Sequence, residues 1–411
     1  MSCMTAGAAL GPITWAEATP NHASAAPTVA VTGTPSVTLA AAVESAWQRA
    51  VLARETDGQR KRAEAERAAA SSLWAAPPAL ELSHRNDRWL TAAGRRETEL
   101  GLAWPLWLPG QRAARRIAAD AGAALAELTH SAGRLRIAGE VREAAWLMHT
   151  ERAELAQADA LVQSLQALAD DVERRVRAGD LARADTLAAR AEGLAATAQQ
   201  TEARQRLLTA RSRWTELTGL DEAPDATEMA PRNTSPEHPE LQLAAQNSEL
   251  TRKRLDLVQA SRREPPELML RYRQDVPGRA EAPQNSIGIG LRLPFGSDDR
   301  YLPLLAAALS ELDIARASEQ RLQVRLAADV ALARAALQVA EQQLAAERER
   351  AALLRERAQL IDKSFRAGET PLPDLLRALA AAALADAALA RQQSALGRSR
   401  ARLHQALGLL P

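Results

Sequence analysis

Apolar positions recur at Leu337, Ala340, Leu344, Ala351, Leu354, Ala358, Ile361 and Phe365, at spacings of three and four, with Glu347 the single polar occupant of the series. That alternation is a coiled-coil seam. The run containing it, Leu304 to Ala367, has neither Gly nor Pro, and Gln111 to Ala178 has no Pro and only three Gly. At about 1.5 Å per residue, such a helix is roughly 95 Å long and cannot be folded inside a globule of this mass. Each run stops at a glycine, Gly179 in "AGDLA" and Gly368 in "AGETP", and a second helical pattern then returns. Each stop therefore predicts the bend of a long helical hairpin.

Four shorter stretches follow a different period. Residues 79–88, 97–107, 267–276 and 286–296 alternate apolar with polar or small positions, the pattern of half-buried β-strands. One face would carry Leu80 and Leu82, then Leu100, Leu102, Trp104 and Leu106. The second pair of strands adds Leu268 and Leu270, then Ile287, Ile289, Leu291, Leu293 and Phe295. A length of about 9 to 11 residues is what a tilted strand needs to cross a membrane's hydrocarbon core. Trp74, Trp89, Trp104, Trp107, Tyr272, Phe295 and Tyr301 lie in or beside these runs, where an interfacial girdle of aromatics is expected.

The plan is written twice. "PPALELSHRND" at 77 parallels "PPELMLRYRQD" at 265, "LGLAWPL" at 100 parallels "IGLRLPF" at 289, and "RAGDLARADTL" at 177 parallels "RAGETPLPDLL" at 366, all at an offset of 188 or 189. The expected organisation is an N-terminal segment over 1–35, a first repeat over 36–220, a polar linker over 221–236 and a second repeat over 237–411. Each repeat reads helix, β-hairpin, long helical hairpin. The first helix is expected from about Ser36 to Leu73, and its counterpart opens near Ser235 as N-cap; "AWQRAVL" stands in the first repeat where the second has "EHPEL".

Composition supports an elongated helical molecule, since aromatics are 3% of the 411 residues and Ala, Leu, Arg and Glu dominate. With 52 basic against 51 acidic residues the net charge is +1, and no basic face marks a nucleic-acid partner. The first 48 residues lack Lys and Arg and offer an A-x-A cleavage point after Ala25, which reads as a secretory leader without a basic start, or as a disordered tail. The single cysteine, Cys3, excludes an internal disulfide and a Cys-based zinc site; it is a lipidation candidate only if residues precede it. No stretch of about 18 uninterrupted apolar residues exists to form a transmembrane helix. The six histidines are scattered, with no metal-binding pair, phosphate loop or dinucleotide loop, so neither an enzyme nor a metal or cofactor site is expected.

Strands in hydrocarbon must close, because an open edge leaves backbone donors and acceptors unpaired. Four strands are too few, and single-chain barrels begin at about 8. Several copies must therefore share one barrel, as a dimer with about 8 strands or a trimer with about 12, and a wide helical tube continuous with the barrel favours the larger number.

With these features in hand, the chain resembles the TolC family of outer membrane efflux proteins. The likeness runs over 36–410 and is carried by "HPEL" at 238, the proline-preceded strands at 77 and 265, "LRLPFG" at 291 running into the long helix, and the paired turns at 177 and 366. The strand wording also resembles the branch serving heavy-metal exporters of the cobalt-zinc-cadmium and copper-silver type. The resemblance implies a mainly α fold with a small β part: a homotrimer whose 12-stranded outer membrane barrel continues into a helical periplasmic barrel in a Gram-negative cell. It further implies a periplasmic adaptor and an inner membrane RND-type pump as partners, and no catalysis. Adaptor docking would centre on Arg177, Gly179, Asp180, Arg366, Gly368 and Glu369, with Asp185 and Asp374 at the entrance. For these acidic residues helix capping is an equal expectation, and cation selection a lesser one. The rival class is a periplasmic adaptor or a soluble coiled-coil scaffold.

Overall fold

The computed structural model describes residues 37–411, apart from 90–92, 223, 224, 227, 229–236, 296 and 297. The expected leader, Cys3, Ser235 and most of the linker thus lie outside the described residues. The first repeat comprises α1 (Leu39–Arg49), α2 (Val51–Ala70), β1 (Ala79–Asn86), β2 (Arg96–Pro105), α3 (Gln111–Ala178) and α4 (Arg183–Thr218). The second comprises α5 (Pro239–Ala260), β3 (Glu267–Val276), β4 (Gln284–Arg292), α6 (Asp298–Arg366) and α7 (Leu372–Ala406).

One expected helix is two. The chain is extended at Ala50 (φ −67, ψ 137), so α1 ends and α2 begins there, inside the "AWQRAVL" stretch that departs from its counterpart. The Ala50 amide still closes onto the carbonyls of Ala46 and Trp47. The corner buries Trp47 with Val43 and Ala46 against α3, a gain that offsets the broken helical ladder. The start of α2 then stands opposite the start of α5, and α1 has no helical partner in the described part of the second repeat.

Two helices, α3 of 68 residues and α6 of 69, run the length of the molecule, each about 100 Å. Next to the strands the helices pack side by side in the order α2, α3, α5, α6, and towards the Gly turns in the order α4, α3, α7, α6. Small residues permit the close approach. Ala189, Ala196, Ala203 and Ala210 recur every seventh residue on α4, all buried towards α3, and the row ends at the fully buried Trp214. On α6 the seam read from sequence faces α7, with Ala340, Ala351, Ala358 and Phe365 buried. Glu347 lies half-buried there and pairs with Arg350 at 3.1 Å.

The strands form one antiparallel sheet in the order β1-β2-β3-β4. The central pairing, Arg96 opposite Val276 through Pro105 opposite Glu267, joins the two repeats. Neither β1 nor β4 has a partner on its outer side among the described residues.

The repeats are also locked at mid-height by one polar junction. Arg142 of α3, 2% exposed, grips the Glu228 carboxylate through Nε (3.0 and 3.2 Å) and Nη2 (2.6 Å). The same guanidinium donates to Gln405 Oε1 at 2.7 Å and to the Leu409 carbonyl at 2.9 Å. Gln405 in turn donates to the Leu135 carbonyl at 2.9 Å, and its backbone bonds the His238 ring. His238, not Ser235, is the N-cap of α5: its Nδ1 accepts from the Glu240 amide at 3.2 Å, and Pro239 occupies the first helical position. Gly408, at φ 74, closes the C-terminal turn directly against His238 and Pro239, where any Cβ would collide.

Two outcomes follow from the junction. Arg142→Ala leaves Glu228 buried without its cation and should cost about 3–5 kcal/mol, read as a lowered midpoint of thermal unfolding by circular dichroism in detergent. An unchanged midpoint would remove the junction's structural role. His238 has its pKa lowered from the ordinary 6.5, chiefly by burial, and Arg325 adds to this against Glu240 and Asp329. The unfolded chain therefore takes up the proton first, and the cap's stability, full above about pH 6.5, is lost as pH falls through the folded pKa. Hydrogen exchange, corrected for intrinsic rates, should show the Glu240 amide losing protection as pH falls below about 6.5. His238→Asn, a cap that does not titrate, should abolish that dependence.

Candidate functional site

The two faces of the sheet have opposite chemistry. Register aligns Leu82, Leu100, Tyr272 and Ile287 in one row and Leu80, Leu102, Leu270 and Ile289 in the next. Trp104, Leu268 and Leu291 make a third, nearer the helices. All lie on one face, and the edge-strand members are largely exposed, Ile289 at 80% and Leu82 at 71%. At the hairpin end the band stops in a polar row, His84, Thr98, Gln274 and Asn285, where His84 Nδ1 meets Thr98 Oγ1 at 2.9 Å and the Tyr272 hydroxyl donates to Asn285 at 3.1 Å. The opposite face is charged and internally paired: Arg271 with Glu99 (3.6 Å), Arg273 with Glu97 (3.1 Å) and Arg292 with Glu267 (3.4 Å). An apolar exposed face backed by an ion-paired face is the division of a transmembrane β-barrel wall between lipid and lumen.

Aromatics collect where the strands meet the helices. Trp74 and Trp104 lie 6.4 Å apart, Trp107 donates its ring N–H to the Ser72 carbonyl at 3.2 Å and carries Arg115 over its face, and Arg262 covers Tyr301. Trp89, 90% exposed, is at the other end of the sheet. Strand ends differ from the expectation. β1 stops at Asn86, β2 runs Arg96–Pro105, and β4 runs Gln284–Arg292. Leu293 and Phe295, expected as strand residues, therefore lie past the ladder, Phe295 at 97% exposure. Pro294 between them has no N–H to donate, which ends the pairing before it.

At the far end, the turn residues assemble as the hairpin pattern requires. Gly179 (φ 91) and Gly368 (φ 82) are left-handed, with open space around each, so glycine is needed there for its backbone and not for room. The Asp180 amide closes onto the Arg175 carbonyl at 2.9 Å and the Glu369 amide onto Ser364 at 3.0 Å. Ser364 Oγ sits 2.5 Å from Thr370 and 3.4 Å from Glu369. Arg366 pairs with Asp362 at 2.9 Å, while Arg177 is exposed with no ion pair among the described residues. Asp185 accepts from the Ala182 amide at 3.1 Å, which is helix capping, and Asp374 pairs with Arg377 one turn on in its own helix.

The structure adds residues that sequence reading passed over. Arg175 lies over the Phe365 ring at 5.1 Å and donates to its carbonyl, so one hairpin's turn is tied to the other's within a cluster of Val172, Ala189, Leu372 and Leu375. Glu143 takes Arg398 and Arg402 from α7; burial alone would raise its pKa, but those hydrogen bonds outweigh it and hold the carboxyl below its usual range. Arg206 of α4 reaches Glu151 (3.1 Å) and Glu154 (2.8 Å) of α3 and Glu202 (2.8 Å) of its own helix. Only that last pair, at i,i+4, was legible from spacing.

This architecture is that of outer-membrane channels. The chain is similar in structure to VceC, an outer membrane protein of Vibrio cholerae, at a TM-score of 0.72 and 18% identity over 90% of this chain and 96% of that one. It is similar to CusC at 0.75 and 16% over 91% and 93%, and to the open state of the MtrE outer membrane channel of Neisseria gonorrhoeae at 0.72 and 16% over 91% and 89%. At these identities the likeness establishes the fold. In sequence, residues 231–409 match the family model of outer membrane efflux proteins, which places that family's signature on the second repeat. No curated protein matches the chain.

Proposed function

We propose that this chain is an outer membrane efflux protein of the TolC type, a homotrimer that serves as the exit duct of a tripartite system in a Gram-negative envelope. The observation that carries this reading is the sheet: an unbroken apolar face, an ion-paired opposite face and two unpaired edges, which three copies would close into 12 strands. The sheet is continuous through β2 and β4 with helices about 100 Å long, enough to extend a duct well beyond the bilayer. The family match over 231–409 and the shared fold support the same conclusion. A periplasmic adaptor would engage the turns at Arg177, Gly179, Asp180, Arg366, Gly368 and Glu369, with an inner membrane RND-type pump behind it. The chain is a conduit and performs no bond-making chemistry.

The narrower branch assignment, to heavy-metal export, rests on the strand wording alone. The acidic entrance residues do not strengthen it, since Asp185 is engaged by a backbone amide and Asp374 by Arg377. A cation-selecting ring needs carboxylates that face the passing ion.

The duct should appear as detergent-dependent, heat-modifiable trimers in the outer membrane fraction; a detergent-independent soluble monomer overturns the proposal. Ile289→Arg, on the apolar face, should cost about 2–4 kcal/mol of barrel stability, while Gly288→Arg, one residue along and facing the lumen with open space, should be nearly neutral in heat-modifiability gels. Equal effects would refute the face assignment. In planar bilayers, Asp374→Ala and Glu369→Ala should reduce cation preference if the entrance selects cations, and an unaltered preference removes heavy-metal selection at this ring.

A further inference from the structure

The hairpin end of the sheet, away from the helices, holds a cavity of about 490 Å³ at the rim where the two faces meet. Four arginines line it: Arg85, Arg95, Arg96 and Arg273. Register brings the first three together. Arg85 stands opposite Glu97 and Arg96 opposite Asn86, and the Asp87 amide bonds the Arg95 carbonyl at 3.2 Å one step beyond. Cα atoms so placed are about 5 Å apart across the pair and about 3.4 Å along each strand. Guanidiniums lining one space at this spacing repel one another unless negative charge lies among them.

Three carboxylates line the same cavity, and each is already engaged. Arg273 takes both Glu97 at 3.1 Å and Asp275 at 3.7 Å. Asp87 turns to its own loop, one oxygen accepting from the Ala93 amide at 2.8 Å and the other from the Gly94 amide at 3.2 Å. Arg85, Arg95 and Arg96 are exposed, with no ion pair and no side-chain hydrogen bond among the described residues. The other strand arginines, Arg271, Arg273 and Arg292, each have a carboxylate. The cavity is also held in shape. Gly94 turns at φ 86 with the stem and backbone of Arg279 directly against it, where any Cβ would collide, and this ties the loop after β1 to the loop after β3.

We propose that this cavity is an anion site for phosphate groups. A guanidinium forks onto two oxygens at once, which suits carboxylate and phosphate alike. A phosphate monoester brings about 1.5 to 2 negative charges and three acceptor oxygens, enough to engage three guanidiniums together, where a carboxylate has one charge and two oxygens. Arg85 and Arg95 belong to the ion-paired face of the sheet and Arg96 to the apolar face, so the site straddles the rim. A phosphate therefore has two routes in, from a lipid headgroup beside the apolar face or from a solute at the mouth. Binding needs one chain only; its position at the outer mouth of a duct rests on the function proposed above.

The test uses the full chain in nonionic detergent, titrated calorimetrically at low salt with inositol trisphosphate, a soluble phosphate monoester. Saturable binding is expected, and each of Arg85→Gln, Arg95→Gln and Arg96→Gln should weaken it by about tenfold. Arg85→Lys, Arg95→Lys and Arg96→Lys combined keep the charge but lose the fork, and should bind more weakly than wild type and more tightly than the three Gln changes combined. Phosphatidylcholine nanodiscs with and without a diphosphorylated glycolipid separate the two sources. A titration shifted to higher concentration by the glycolipid identifies the lipid headgroup as occupant, and an unshifted one identifies the solute. Wild type that does not bind, Gln variants that bind as tightly, or a Lys variant equal to wild type each overturn the site. Detergent-dependent trimers that bind no inositol trisphosphate overturn the site alone, and a detergent-independent monomer that binds it overturns the duct alone.

Discussion

A backbone amide or carbonyl without a partner is tolerable in water and costs several kcal/mol in hydrocarbon. The four-stranded sheet presents such groups along the outer sides of β1 and β4, beside a face of Leu and Ile that excludes water. Among the described residues nothing covers those edges, since the helices leave the sheet at one end only. In the proposed trimer, other copies supply the missing strands. The helical layers repeat the arrangement, with α2 and α4 on the flank that follows β1 and α6 on the flank that follows β4. The same side of the chain thus lies open from strand edge to Gly turn, which the proposed rotation of copies would cover.

How the long helices hold together follows from what their seams contain. Ala every seventh residue on α4 brings α4 and α3 close, which maximises dispersion contact per residue and leaves little apolar area for large side chains to add. Exposed bridges such as Arg60 with Glu127 contribute little each, and their role is closer to fixing heights than to supplying stability. Among the described residues bulky apolar packing is heaviest in two places, with smaller clusters around Leu255 and Leu312 and around Leu354 and Leu379. One is the junction around Trp47, Val141, Met148 and Trp214; the other is the small cluster around Phe365.

The period of the apolar residues separated strands from helices, because 2.0 and 3.6 are distinct over ten residues, and the offset between repeats turned weak strands into a pattern. The Gly turns were legible for the same kind of reason, since a left-handed residue ending a helix has few alternatives to glycine. The break at Ala50 was not. It has no Gly or Pro, and what stabilises it is burial of Trp47 against a helix some ninety residues away in sequence. The Arg142 junction was hidden likewise: one arginine among many on a polar-looking helix, meeting a glutamate in a connector that reads as solvent-exposed linker. At the entrance, sequence located Asp185 and Asp374 but not their partners, and the partners decide what a carboxylate can do.

The distribution of packing along the molecule has a mechanical consequence. At mid-height, a buried guanidinium with four acceptor contacts joins α3, the connector, α7 and the C-terminal turn; parting α3 from the connector strands a charge in the interior, and parting either from α7 or the turn leaves buried hydrogen bonds of that guanidinium unmade. At the Gly turns the two hairpins meet through one arginine on one phenylalanine and a handful of aliphatic contacts, with the other charges paired in their own helices or exposed. Breaking those contacts exposes modest apolar area and leaves no buried ion unpaired. The free energy needed to part the hairpins at the turns is therefore far smaller than that needed to part them at the junction. The placement of that buried network therefore makes the Gly-turn end the easier place to part the two hairpins.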